Sequence, residues 1–72
     1  MLTYSIESIS NDLNVSTTTV QEVRRKLKIS GYTNENGYKR IERFINDVRK
    51  QEGGTSLSHI NRFLIFHNLE DY

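Results

Sequence analysis

Two short apolar stripes separated by a three-residue turn constrain the fold of this chain more than any other feature of its sequence. Each stripe repeats at the i, i+3, i+7 spacing of one helical face, which predicts helices over residues 5–13 and 17–28. Ser5 and Ser16 stand where helix N-caps are expected, and Asn14 tolerates the left-handed backbone of a helix C-terminus. The apolar positions are Ile6, Ile9 and Leu13 in the first stripe and Val20, Val23 and Leu27 in the second.

The rest of the chain predicts a β-hairpin followed by two more helices. Asn36-Gly37 lies between residues of good β-propensity, so residues 29–39 are expected to form a two-stranded wing. Apolar residues return at helical spacing over residues 40–67 and are interrupted by Gly53-Gly54, which predicts two helices there. Residues 68–72 are expected to fray as a tail. The predicted fold class is mainly α, with four short helices and a small β-hairpin wing.

Length and composition limit the chemistry that this chain can support. Its 72 residues are expected to form a single domain, 1–72, which is too small to enclose a deep active site. The absence of cysteine excludes disulfides and thiolate zinc sites. His59 and His67 have no acidic partner at metal-ligand spacing, and no nucleophile motif or phosphate-binding glycine loop stands out. We expect no enzyme activity, no catalytic residue, no metal and no cofactor.

The formal net charge of +1 conceals an uneven distribution of charged side chains. Residues 20–50 carry nine basic and four acidic side chains, whereas residues 1–19 and 51–72 each have a net charge of −2. A partner senses the local field within about a Debye length, ~10 Å at 0.1 M salt. The asymmetry therefore points to an anionic partner, with random scatter of surface charge as the alternative.

The turn between the first two helices has the residues that a steep helix crossing requires. Ser10 is small where the helices approach each other, and Asn14 accepts positive φ in the turn. The stretch from Ile9 to Val23 resembles the DNA-binding helix-turn-helix family, which usually has Ala and Gly at those two positions. In that family the second helix enters the major groove. A helical hairpin with no DNA role is the alternative.

The solvent face of the second predicted helix carries groups that suit DNA. Hydroxyls and an amide can pair with base edges, a guanidinium can hold guanine with two hydrogen bonds, and a carboxylate can accept from cytosine. An ordinary solvated helix face is the alternative interpretation. The predicted base contacts are Thr17, Thr18, Gln21, Glu22 and Arg25, and the predicted phosphate contacts at this helix are Ser16, Arg24 and Lys28.

The hairpin signal extends the resemblance to nearly the whole chain. Asn36-Gly37-Tyr38-Lys39, followed by two further predicted helices, resembles the MerR and excisionase type of winged helix-turn-helix. This resemblance implies a wing that touches the DNA backbone beside the groove. Thr33 stands where that family has an arginine before the turn, and the polar stretch after the wing is shorter than usual. The resemblance assigns phosphate contacts to Tyr38, Lys39 and Arg40.

We expect sequence-specific binding of double-stranded DNA by a small transcription regulator, as a homodimer or a cooperative assembly on adjacent sites. The expected location is the cytoplasm, and the expected origin is bacterial, plasmid or phage. No membrane segment or small-molecule ligand is inferred. An excisionase-like architectural protein or a plasmid or chromosome segregation protein is the second hypothesis.

A third hypothesis is a protein-interaction module that does not bind DNA. The run Phe63-Leu64-Ile65-Phe66 is apolar around most of a helical turn, which is more than one buried face requires. Enclosure of the whole run in the core is the alternative. The candidate oligomer interface consists of Phe63, Ile65 and Phe66.

Overall fold

The computed structural model describes residues 2–72, which form four helices, one two-stranded antiparallel sheet and a short 3-10 helix. The predicted mainly-α fold class is confirmed. Within residues 2–72, no helix has the length and apolar character needed to cross a membrane. In chain order the elements are β1 (Tyr4–Ser5), α1 (Ile6–Leu13), α2 (Thr17–Leu27), β2 (Tyr32–Thr33), α3 (Glu35–Glu52), α4 (Leu57–Phe66) and the 3-10 helix Leu69–Asp71.

The turn between α1 and α2 has the geometry that its sequence predicts. Asn14 adopts the left-handed conformation, with φ 56° and ψ 49°. Ser10 is buried, and its hydroxyl donates to the carbonyl oxygen of Val15. The Ser16 hydroxyl accepts from the backbone N–H of Thr19 at 3.1 Å and so caps α2. The predicted extents of α1 and α2 are confirmed to within one residue.

The two strands come from distant parts of the chain. Tyr4 pairs with Thr33 and Ser5 pairs with Tyr32, in antiparallel register. The sheet therefore joins the segment before α1 to the segment after α2. The predicted hairpin over residues 29–39 is wrong, although a small antiparallel sheet is present.

Asn36-Gly37 lies in the first turn of α3 because Asn34 caps that helix. The Asn34 side-chain oxygen accepts from the backbone N–H of Gly37 at 3.0 Å, and Glu35 places a negative charge at the helix N-terminus. A Cβ atom on Gly37 would lie 1.7 Å from Oγ1 of Thr33, so this glycine permits close packing of α3 on β2. The structure therefore places Tyr38, Lys39 and Arg40 on a helix that begins at Glu35, and not on the returning strand of a wing.

All four helices contribute to one apolar core. Phe44 of α3 and Phe63 of α4 meet edge to face, with ring centroids 5.4 Å apart. Phe63 is completely buried, so its predicted place in an oligomer interface is wrong. The buried apolar residues are Ile9, Leu13, Val20, Val23, Leu27, Ile29, Ile41, Phe44, Ile45, Val48, Ile60 and Phe63.

The C-terminal tail, residues 68–72, folds back onto α3. The Tyr72 ring packs against Phe44 with centroids 5.1 Å apart, and the Arg43 guanidinium lies 5.1 Å from the centre of the Tyr72 ring. The Tyr72 hydroxyl donates to the Asp47 carboxylate. Burial, followed by this hydrogen bond, raises the pKa of Tyr72 to about 12. The expectation that the tail frays is wrong because its last aromatic ring packs against the core.

Candidate nucleic-acid interface

α2 packs one face on the core and exposes the opposite face. Helical geometry places Thr18, Glu22 and Arg25 along the line opposite the core residues. Thr18 and Arg25 are exposed, as is Thr17 on the flank of the helix. Glu22 is partly exposed and forms an ion pair with Lys26 at 3.7 Å. Four of the five predicted base contacts, including Glu22, therefore share one solvent-facing surface that runs from the first turn of α2 to its last turn.

The N-terminal end of α2 is open to solvent and firmly positioned. Ser16, Thr17 and Thr18 are exposed, and the backbone N–H groups of a helix's first turn have no intrahelical partner. The Thr19 hydroxyl donates to the carbonyl oxygen of Thr55 at 2.6 Å, which ties this end of α2 to the loop between α3 and α4. A helix N-terminus of this kind attracts phosphate groups.

Gln21 and Arg24, a predicted base contact and a predicted phosphate contact, are hydrogen-bonded to each other. The Arg24 Nη2 atom donates to Oε1 of Gln21 at 2.8 Å, and its Nη1 atom donates to the carbonyl oxygen of Ile29 at 3.2 Å. Arg24 therefore fixes the segment that connects α2 to β2. By contrast, no hydrogen bond or ion pair joins the Arg25 side chain to another residue within 2–72.

An exposed tyrosine, which was not among the predicted contacts, lies beside Gln21 and Arg24 of α2. Tyr32 is 73% exposed and lines a cleft of about 340 Å³ together with Gln21 and Arg24. Its backbone is fixed by Ser30, whose hydroxyl donates to the Tyr32 carbonyl oxygen at 2.6 Å. Only the pairing of β1 with β2 brings Tyr32 to this place, and no local sequence pattern signals that pairing.

The three residues predicted to contact phosphate from a wing have partners within the protein. Burial, followed by the negative charge of Asp12, raises the pKa of Tyr38. Tyr38 packs on Tyr4 with ring centroids 4.5 Å apart, Lys39 pairs with Glu35 at 3.2 Å, and Nη2 of Arg40 donates to the Tyr72 carbonyl oxygen at 2.9 Å.

The structure brings Arg40 together with Lys28, another predicted phosphate contact. Both line a groove of about 670 Å³ at the C-terminal end of α2, which is bounded on one side by the tail. This groove lies at the opposite end of α2 from Thr17 and Thr18. The predicted DNA contacts therefore fall into two separate groups.

On α4, Ile65 and Phe66 are 70% and 80% exposed, so two of the three predicted interface residues are accessible. No group of three or more His, Asp or Glu residues that could hold a metal ion occurs within the described residues. No protein-family model matches the chain, and comparisons with curated proteins and with solved structures find no match.

Proposed function

We propose that this chain binds double-stranded DNA in a sequence-specific manner, with α2 in the major groove. The observation that carries the proposal is the solvent-facing surface of α2, where Thr17 and Thr18 in the first turn and Arg25 in the last turn are exposed and their side chains bond to no other described residue. A major groove about 12 Å wide admits an α-helix. The Asn14 turn and the hydrogen bond from Thr19 to Thr55 hold α2 in position, so little ordering entropy is lost on binding.

Several groups at this surface have distinct roles in the proposed complex. Arg25 carries a guanidinium that can donate two hydrogen bonds to guanine, and the threonine hydroxyls can pair with base edges. The side-chain carbonyl oxygen of Gln21 accepts a hydrogen bond from Arg24, and its two amide N–H groups can donate to a base. The Ser16 end of α2 offers backbone N–H groups to a phosphate. Tyr32, beside Gln21, adds an exposed hydroxyl next to the same surface.

A net charge of +1 implies limited sequence-independent attraction to DNA. Useful affinity then depends on base contacts and on a second copy bound nearby. Helix-turn-helix dimers bind half-sites about 34–36 Å apart, and we propose such a pair for a small transcription regulator in the cytoplasm. An excisionase-like architectural or segregation protein would instead bend its target or coat several neighbouring sites.

Selection of bound sequences from a random pool of DNA duplexes tests the proposal. We expect one enriched motif, and affinity for it that falls with salt by about 0.9 log units per log unit of salt for each phosphate contacted. A motif that repeats at one helical turn would identify the paired arrangement. If no duplex is retained even at low salt, the proposal of DNA binding is wrong.

The exposed pair Ile65 and Phe66 favours a second candidate function, association with another protein through α4. The two side chains are adjacent at the end of the helix, whereas Phe63 is buried. If this surface mediates self-association, the replacement Phe66→Ser shifts the sedimentation coefficient to that of a monomer. The matched replacement Tyr32→Ser removes another exposed aromatic and leaves the assembly unchanged. A wild-type protein that is monomeric at millimolar concentration would exclude self-association through this surface.

A further inference from the structure

The groove at the C-terminal end of α2 has a size typical of small-molecule sites. Its volume of about 670 Å³ lies within the ~300–1,000 Å³ range of ligand pockets. The 11 residues of α2 separate the groove from Thr17 by roughly 15 Å, at ~1.5 Å per residue. We propose that this groove binds a small organic anion that carries a phosphate or carboxylate group on an apolar body.

Three basic residues, Lys26, Lys28 and Arg40, line the groove, together with one acidic residue, Glu70. Lys28 is exposed and forms no ion pair with any residue in 2–72. Lys26 shares its charge with Glu22 at 3.7 Å. Arg40 gives one N–H to the Tyr72 carbonyl oxygen, and no other hydrogen bond joins its guanidinium to the described residues. Lys28 and the remaining N–H donors of Arg40 are therefore the groups of the groove that an anionic head group can bind.

Apolar side chains form the rest of the wall. Leu27, Leu64, Leu69 and Tyr72 line the same groove as the cations, and the last three are only half-buried. A bound apolar body would remove more of their surface from water, which is favourable. Inorganic phosphate can satisfy only the cationic part of this site, so the two features together select an anion attached to a hydrocarbon or aromatic group.

The backbone at Lys28 supports the assignment independently of the charges. Lys28 follows the last residue of α2 in the left-handed conformation, with φ 58° and ψ 45°. Glycine or asparagine usually occupies such a position because other side chains are strained there. Strained backbone of this kind occurs preferentially at functional sites. Here the residue in that conformation is a lysine that lines the groove.

Nuclear magnetic resonance titration of ¹⁵N-labelled protein with phenyl phosphate, inorganic phosphate and phenol tests this site without DNA. We expect saturable shifts with phenyl phosphate at the amides of Lys28, Leu64 and His67, and weaker binding of both inorganic phosphate and phenol. The variant Lys28→Asn keeps a residue that tolerates the left-handed backbone and removes the charge. Its affinity for phenyl phosphate should fall about tenfold, the effect of one charge-assisted hydrogen bond.

The matched control is Lys50→Asn, which removes an exposed cation of α3 outside the groove. This control should bind phenyl phosphate like the wild type, while Lys28→Asn should match or exceed the wild-type unfolding temperature because backbone strain is reduced. Equal affinity of both variants, or no shift of groove amides, would overturn the proposal. Displacement of phenyl phosphate by a DNA duplex would also overturn it, because the groove would then belong to the DNA surface.

Discussion

The three arginines of α3 and the exposed Arg25 of α2 differ in what they contact. The arginines of α3 donate to main-chain carbonyl oxygens of other elements, whereas Arg25 of α2 is exposed and joins no other residue within 2–72. The α3 hydrogen bonds are Arg40 to Tyr72 at 2.9 Å, Arg43 to Asp71 at 2.9 Å and Arg49 to Leu13 at 2.8 Å.

The difference shows that a basic segment is not equivalent to a basic binding surface. Leu13 is the last residue of α1, and its carbonyl oxygen is among those that a helix leaves without an intrahelical partner. Arg49 satisfies that oxygen, and Arg40 and Arg43 do the same for the tail. These three guanidinium groups support the fold. The cations available to an anionic partner are consequently fewer than the charge of residues 20–50 suggests, and Arg25 is the one arginine of α2 and α3 that joins no other described residue.

The largest loss of stability is expected from a replacement that tests how closely α3 packs on β2. The replacement Gly37→Ala would place a Cβ 2.9 Å from the Cβ of Thr33, which cannot rotate away. We expect urea denaturation followed by circular dichroism to show a loss of about 3 kcal/mol in unfolding free energy, the upper end of overpacking costs. Gly31→Ala is the control, since its Cβ would meet no atom within 4 Å. Equal stability of both variants would mean that α3 does not pack on β2 as described.

Replacing one arginine in α2 and one in α3 tests the difference between the two helices directly. Arg25→Ala should weaken binding to the selected duplex about tenfold, within the ~1–3 kcal/mol of a two-bond contact between arginine and guanine. Its unfolding free energy should stay within ~0.5 kcal/mol of wild type. Arg49→Ala should lose about 1 kcal/mol of unfolding free energy and bind the duplex normally. A loss of stability in Arg25→Ala together with a loss of duplex binding in Arg49→Ala would contradict the proposed difference between the helices.

The helix caps provide a similar pair with a smaller effect. Ser16→Ala and Asn34→Ala each remove a side chain that accepts a backbone N–H, so each should cost about 1 kcal/mol of unfolding free energy. Only Ser16→Ala should also weaken duplex binding, measured by fluorescence anisotropy at fixed salt. A binding defect in Asn34→Ala of the same size would indicate that lost stability, rather than lost contact, explains both.

The smallest effect concerns the tail that the α3 arginines hold. Because Tyr72 has a pKa of about 12 in the folded protein and its ordinary value near 10 when unfolded, its contribution to stability is complete below pH 10. That contribution is lost as the pH rises through about 12. We expect Tyr72→Phe to lose less unfolding free energy than wild type between pH 10 and 12. Parallel pH profiles for the two proteins would show that Tyr72 is not held as described.

The local sequence predicts the helices well and the sheet poorly, for a physical reason. N-cap residues and apolar spacing act over a few residues, so Ser16 and the stripe of α2 identify that helix. Asn36-Gly37 is ambiguous, because Asn34 two residues earlier can cap a helix that includes it. The partner of β2 is β1, on the far side of two helices, and no local pattern encodes that pairing.

The candidate site, too, can be predicted from the sequence only where local patterns determine it. Exposure of Thr17, Thr18 and Arg25 follows from helical periodicity and could be predicted. The engagement of Arg24 with Gln21, and of Arg40 with Tyr72, depends on rotamers and on a tail whose packing the sequence does not display. Tyr32 reaches the side of α2 only through the pairing of β1 with β2.

The proposal that α2 reads DNA is tested most directly by titrating the ¹⁵N-labelled protein with the duplex chosen by selection. We predict that the largest amide shifts fall within residues 16–25, with smaller ones at Tyr32. The amides around Arg49 and Lys50 should not move. Largest shifts at Ile65 and Phe66, or shifts spread evenly over the basic residues of both helices, would contradict the proposal.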